Sequence, residues 1–280
     1  MKTGSALIAA ALHLCAATAW AQGPRASEGL TETLHTLRLA RGSELPVLVS
    51  KRTGTSPSVA VLIFPGYPGI LRLRTEGGAV VHALGGNFLV RARRFLNTEK
   101  VFTVLVDCPV DQWHWCGDAW RSGAQHAGDI AEVVEAARQV FGAQRVFLAG
   151  TSYGTVSTSF LARSLEGKID GAVHTATFTD PRLGREAHGA PMRGFDWSRA
   201  KVPQLFVHHR QDPCGVTSYE SVVRRRGEIP LVTVEGGEGA RGEPCEAFSA
   251  HGFVGREREA MGAIHQWITT GAAPAIVGAR

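Results

Sequence analysis

Two kinds of apolar pattern alternate along this chain. Ser58-Val59-Ala60-Val61-Leu62-Ile63-Phe64, Val101 to Asp107 and Arg145-Val146-Phe147-Leu148-Ala149 are short, nearly continuous apolar runs. Such runs predict strands buried on both faces of a sheet. Gly171 to Phe178, Pro203 to His208 and Pro230 to Glu235 read the same way, the last as the final strand. Between them the spacing changes to that of helices. In Gly123 to Phe141 the apolar positions Ile130, Val133, Val134, Ala137 and Phe141 fall on one helical face. Asn87 to Asn97, Thr155 to Arg163 and Thr217 to Arg226 are further helices, and Arg256 to Thr270 closes the chain as a helix. Near the start, Leu34 to Arg41 and Leu45 to Lys51 alternate around Arg41-Gly42-Ser43-Glu44, which predicts an antiparallel hairpin. Thr179 to Lys201 is irregular. Strands alternating with helices predict an α/β fold. Its mostly parallel central sheet carries helices on both faces and an N-terminal antiparallel hairpin. A functional site then belongs beyond the carboxyl ends of the strands.

The first residues fit none of this. Lys2 precedes an apolar run from Ala6 to Ala17 that is too short to span a bilayer. Ala19-Trp20-Ala21 puts small residues where a signal peptidase reads, so residues 1–21 are expected to be a secretory signal cleaved before Gln22. Cys15 is no lipoprotein site, because the bulky Leu14 precedes it. Residues 22–280 are expected to form one domain, with at most a short lid segment around 179–201. Export, periplasmic or fully secreted, changes the reading of cysteine. Cys108, Cys116, Cys214 and Cys245 remain, an even number in an oxidising compartment. Of three possible pairings we expect Cys108–Cys116, a short loop, and Cys214–Cys245, against four free thiols.

Composition adds little and excludes some classes. The chain of 280 residues is 44% hydrophobic and 20% charged, which suits a sizeable core. Its net charge of +5 is spread over many arginines. Arg91, Arg93 and Arg94 cluster, as do Arg224, Arg225 and Arg226. Both clusters are read as solvated helix faces, so no nucleic-acid partner is expected. No zinc spacing, Walker motif or dinucleotide glycine pattern occurs, so no metal or organic cofactor is implied. No stable membrane anchor is expected, and the oligomeric state is left open.

The chemistry concentrates in Gly150-Thr151-Ser152-Tyr153-Gly154. It lies between a predicted strand and a predicted helix. Chance would place about 0.2 such pentapeptides in a chain of this composition, so the flanking elements carry the argument. Strand, G-x-S-x-G, helix is a nucleophile elbow. The turn lifts the serine oxygen clear of the backbone, and the glycines let strand and helix approach closely. The helix N-terminus and the Tyr153 N–H then face the place where an oxyanion would form. A serine is a weak nucleophile and needs a base, which in turn needs an orienting acid. Asp212 follows the predicted strand Pro203 to His208, and His251 lies after the last predicted strand and before the last helix.

The elbow, the segment His208-His209-Arg210-Gln211-Asp212, the late His251-Gly252 and the order of elements together resemble the α/β-hydrolase superfamily, specifically its secreted serine esterases and lipases. The resemblance covers essentially all of residues 22–280. It implies Ser152 as nucleophile, His251 as general base and then acid, and Asp212 as orienter. In the place of the usual His-Gly after the third strand stands Phe64-Pro65-Gly66-Tyr67. The resemblance therefore implies Tyr67 and Tyr153 as the backbone oxyanion donors. Asp196 and Glu243 are alternative acids, but neither follows a strand end in the right place. His208 and His209 are expected to be structural or solvent-facing, His265 to be a surface or core residue, and His126 has no assignable partner. His188, in the irregular segment, reads as a solvated loop residue or a substrate contact. Trp113, His114 and Trp115 follow a strand between two cysteines. With Tyr67, Trp113 and Trp115 are expected at the substrate pocket, or else form a plug beneath their loop. The implied activity is hydrolysis of a small-molecule carboxylic ester through an acyl-enzyme. The alternatives are a peptidase, amidase or thioesterase using the same residues, or a non-catalytic secreted binding protein.

Overall fold

The central strands sit where the continuous apolar runs predict them. The computed structural model describes residues 27–181 and 189–278. The expected signal segment and His188 lie outside the described residues. In chain order the strands are β1 (Leu30–Arg38), β2 (Glu44–Arg52), β3 (Val59–Phe64), β4 (Arg74–Glu76), β5 (Ala79–Val81), β6 (Val101–Val106), β7 (Arg145–Thr151), β8 (Gly171–Thr175), β9 (Gln204–His209), β10 (Leu231–Val234) and β11 (Ile276–Val277). The helices are α1 (Phe88–Ala92), α2 (Asp118–Arg121), α3 (Ala124–Gln139), α4 (Gly154–Ser164), α5 (Tyr219–Arg225) and α6 (Glu257–Thr270).

Among the described residues nine strands form one sheet in the order β1-β2-β6-β3-β7-β8-β9-β10-β11. β1 and β2 pair antiparallel from Leu30↔Arg52 to Arg38↔Glu44, and β2 runs antiparallel to β6. Every other ladder in the sheet is parallel. Alternate residues of a strand point to opposite faces, and the core divides accordingly. On one face Val61 and Ile63 of β3 and Phe147 and Ala149 of β7 pack with Met261, Ile264 and Trp267 of α6. On the other, Ala60, Leu62, Val146 and Leu148 pack with Ile130, Val133 and Ala137 of α3 and Leu161 of α4. β3 lies between β6 and β7, so the strand order reverses there and a crevice opens beyond the carboxyl ends.

Three features differ from the sequence reading. β10 is not the last strand: β11 pairs with it in parallel, and α6 does not close the chain. Two residues carry too little periodicity to announce a strand. The hairpin β4–β5 was likewise invisible, because its residues are half-exposed or exposed rather than apolar on one face.

The arginine clusters are the third difference. Arg93, which directly follows α1, is buried and donates to Glu32 of β1 at 2.8 and 3.0 Å. Arg94 pairs with Glu28, and Arg225 donates to the carbonyls of Met192 and Phe195. These side chains cross between elements instead of lying on a solvated face. The contacts of Arg225 also tie down the segment after Thr179. Met192, Phe195 and Trp197 of that segment pack with Phe178, Phe206 and Tyr153.

Candidate active site

β7 ends at Thr151 and α4 begins at Gly154, so the turn between them has almost no length. Ser152 takes it with φ +51°, the left-handed region that a side chain disfavours by about 1–2 kcal/mol. The Ser152 N–H donates to the Thr175 carbonyl at 3.0 Å, which holds the turn. The two glycines are required sterically. A Cβ at Gly150 would stand 2.6 Å from the Gly154 oxygen, and one at Gly154 would stand 2.1 Å from the Phe64 oxygen.

Asp212 follows β9, and its side chain is fully enclosed. Its carboxylate accepts the Cys214 N–H at 2.9 Å, the Thr217 hydroxyl at 2.9 Å and the His251 ring nitrogen Nδ1 at 3.1 and 3.2 Å. Burial opposes its charge, but the hydrogen bond and charge of His251, with lesser help from His208 and the Cys214 N–H, hold the carboxyl below the usual carboxylate range. A carboxylate on Nδ1 keeps the proton there and leaves Nε2 to act as base.

His251 lies in a single turn, Ala250–Gly252, capped by the Ser249 side chain. Its loop is long, but two devices fix it. The Cys214–Cys245 disulfide joins it to the Asp212 loop. Arg91 then donates to the carbonyls of Gly252 at 2.6 Å and Ala247 at 3.1 Å and pairs with Glu257 at 2.8 Å. Gly252 is also sterically required, because a Cβ there would stand 1.9 Å from the Ala247 oxygen.

Ser152 and His251 line one cavity of about 560 Å³. No hydrogen bond joins the two side chains among the described residues; such contacts often tighten only when substrate binds. Tyr67 and Tyr153 line the same cavity. A Cβ at Gly66 would stand 3.4 Å from Ser152 Cβ, so the backbone leading into Tyr67 lies against the elbow. The loop beyond is pinned by Asp107 at the end of β6, whose carboxyl accepts the N–H groups of Leu71, Leu73 and Cys108 at 2.7–2.9 Å. Burial raises that carboxyl to about 6 against these donors. The rest of the wall is largely apolar, from Leu84, Phe88, Phe178, Val216 and Ala247, with Asn87 and Glu246 as polar members.

Trp113 and Trp115 do not line this cavity. The Trp113 indole N–H donates to the Cys108 carbonyl, which folds the ring back on its own loop. Trp115 lines a neighbouring depression of about 440 Å³ and meets the Tyr67 ring edge to face at 6.3 Å. Asp196 caps a turn at Ser198, and Glu243 is exposed. His208 and His209 are both buried. His208 Nε2 accepts the Thr177 N–H, and His209 bonds the Gly236 carbonyl, so they are structural rather than solvent-facing. His126 is buried with no hydrogen-bond partner for either ring nitrogen among the described residues. The sequence reading missed Thr217, Asn87 and Arg91. The first two carry no local signature, and Arg91 was hidden in its charge cluster. Among the described residues no group of His, Cys, Asp and Glu is arranged to hold a metal ion.

No family model matches the sequence, and no curated protein matches it. Solved structures do. The chain is similar to Est1E from Butyrivibrio proteoclasticus, with 14% identity over 84% of this chain and 97% of that one, at a TM-score of 0.56. XC6422 from Xanthomonas campestris, described as an α/β serine hydrolase without a lid, gives 18% identity, 87% and 96% coverage and a TM-score of 0.54. A 2,6-dihydroxy-pseudo-oxynicotine hydrolase gives 15% identity, 87% and 70% coverage and a TM-score of 0.59. At such identities the likeness is one of architecture: the chain has the α/β-hydrolase fold.

Proposed function

We propose that this chain of α/β-hydrolase fold is an exported serine hydrolase that cleaves carboxylic esters. The observation that carries the reading is the enclosed Asp212–His251 hydrogen bond on the wall of the cavity that also holds a left-handed Ser152. A strained serine turn beside an oriented imidazole costs stability and supplies an activated nucleophile.

The proposed steps are those of a serine esterase. His251 Nε2 takes the proton of Ser152 Oγ as the oxygen attacks the ester carbonyl. The Tyr67 and Tyr153 N–H groups receive the oxyanion, each contributing about 3 kcal/mol to the barrier reduction. Asp212 stabilises the imidazolium without itself taking the proton. The tetrahedral intermediate expels the alcohol, protonated by His251, and leaves an acyl-Ser152 ester. Water, deprotonated by His251, attacks that ester, and the serine leaves with the proton returned. The apolar residues Leu84, Phe88, Phe178 and Val216 favour an apolar acyl or alcohol group in a cavity of ordinary ligand size. The two disulfides support export to an oxidising compartment. Among the described residues no helix is long and apolar enough to cross a membrane.

The test is hydrolysis of p-nitrophenyl esters of increasing acyl length by the wild type and Ser152→Ala, with fluorophosphonate labelling alongside. The expected result is turnover and labelling in the wild type and neither in the variant. Undiminished turnover in Ser152→Ala would sink the reading.

A further inference from the structure

The short helix α2 carries an arginine that the proposed chemistry does not use. Arg121 is 3% exposed. Burial lowers its pKa to about 10, with Tyr153 and Asp118 opposing, so it stays charged at neutral pH. Burying a cation is costly unless its donors are satisfied. The acceptors here belong to three separate segments of the site. Nε donates to the Cys116 carbonyl at 2.9 Å, at the end of the short disulfide loop. Nη1 donates to the Ser157 hydroxyl at 3.0 Å, within the helix that starts at the elbow. Nη2 donates to the Pro68 carbonyl at 3.3 Å, on the residue that follows Tyr67.

The same guanidinium stands 5.0 Å over the Tyr153 ring. That ring is held on other sides too. Its edges meet Tyr67 at 5.7 Å and Phe178 at 5.9 Å, and the Asp118 carboxyl acts on its hydroxyl, which burial and that carboxyl hold above the usual phenol range. Asp118 in turn accepts the Gly189 N–H at 2.6 Å. Gly69 completes the fit. A Cβ there would stand 1.8 Å from an Arg121 nitrogen, so the guanidinium occupies the space of a side chain in the Tyr67 loop.

We propose that Arg121 is the positioning residue of the oxyanion hole: one side chain grips both the Pro68 carbonyl and the Tyr153 ring, and so sets the spacing of the Tyr67 and Tyr153 N–H groups. The inference rests on the ester-hydrolase reading above. It requires arginine rather than a positive charge alone, because a planar fork can serve three acceptors and a cation–π face together, whereas an ammonium cannot.

The experiment compares wild type, Arg121→Lys and Arg121→Met. It measures kcat and KM for p-nitrophenyl acetate, the rate of fluorophosphonate labelling and the melting temperature, with activity assayed well below each variant's own melting point. Displaced oxyanion donors lower kcat by about 30- to 100-fold, with KM changed less than about threefold. Labelling slows in parallel, because its phosphonyl oxygen uses the same donors. Arg121→Lys retains the buried charge and gives the result if Arg121→Met does not fold. A folded Arg121→Lys with kcat and labelling rate within about threefold of wild type overturns the inference and leaves the hydrolase reading standing. A loss confined to KM also overturns it. Wild-type protein that neither turns over esters nor labels at Ser152 removes both.

Discussion

Removing the Cys214–Cys245 bridge tests how the site is held together. Cys214 lies two residues beyond Asp212, and Cys245 lies on the loop that leads to His251. The bridge closes a sequence separation of 31, whereas Cys108–Cys116 closes one of 8. Loop-closure entropy then assigns the long bridge about 3.7 kcal/mol and the short one about 2.6 kcal/mol. In a domain of this size each kcal/mol moves the melting temperature by about 2–4 °C. Cys214→Ala/Cys245→Ala should therefore melt roughly 7–15 °C lower, and Cys108→Ala/Cys116→Ala roughly 5–10 °C lower.

A burial argument gives the opposite order, since Cys108 and Cys116 are both buried whereas Cys245 is exposed. The two explanations are thus separable by calorimetry of the oxidised double variants. Activity adds a second reading. Arg91 still holds the Gly252 and Ala247 carbonyls when the bridge is gone, so His251 is loosened rather than lost. A fall in kcat of about tenfold is expected, not abolition. A larger loss of melting temperature from the short bridge, or none from the long one, would refute the entropic reasoning.

Three further outcomes follow from the same contacts. Asp212→Asn keeps the shape of the acid but can present an amide N–H to His251 Nδ1, which moves the imidazole proton to Nε2; kcat should fall about 10⁴-fold with little change in melting temperature. Gly154→Ala places a Cβ 2.1 Å from the Phe64 oxygen, backbone that cannot turn aside; a destabilisation of about 3 kcal/mol with loss of labelling is expected in denaturant titration and fluorophosphonate assays. Acid should weaken the fold between pH 7 and 5. Burial pushes His126 down to about 3 and His174 and His208 to about 4. Their folded pKa values lie below the ordinary 6.5, so the unfolded chain takes up protons that the fold refuses, and stability is lost as pH falls through 6.5 towards 4. Each histidine then costs about 2 kcal/mol at pH 5, while Asp107, raised to about 6, returns about 1 kcal/mol. Equal urea midpoints at pH 7 and pH 5 would contradict this account.

The sheet was legible because its physics is local. A strand buried on both faces must be apolar along nearly its whole length: β3 is so throughout, β6 at all but Thr103, and β7 from Val146 to Ala149. The elbow was legible for a related reason: Gly150 and Gly154 are the residues that a strand and helix in near contact demand, and they stand beside the serine they serve. The disulfide pairing that closes the site was expected from its loops, and the structure contains both bridges. β11 was not legible, since two residues gain their place from the ladder beside them rather than from their own pattern. Nor was the purpose of the arginines. Charge along a chain looks the same whether the side chain reaches solvent or an acceptor far away in sequence, and Arg91, Arg93 and Arg121 do the latter. Trp113 shows the converse, an aromatic residue in a promising loop that turns inward for one hydrogen bond. The amino-acid sequence by itself thus determined the central strands, the elbow and the residue types able to carry the chemistry. Only the tertiary structure decided which side chains meet, because hydrogen bonds between distant segments depend on where the backbone brings their partners, and no local pattern records that.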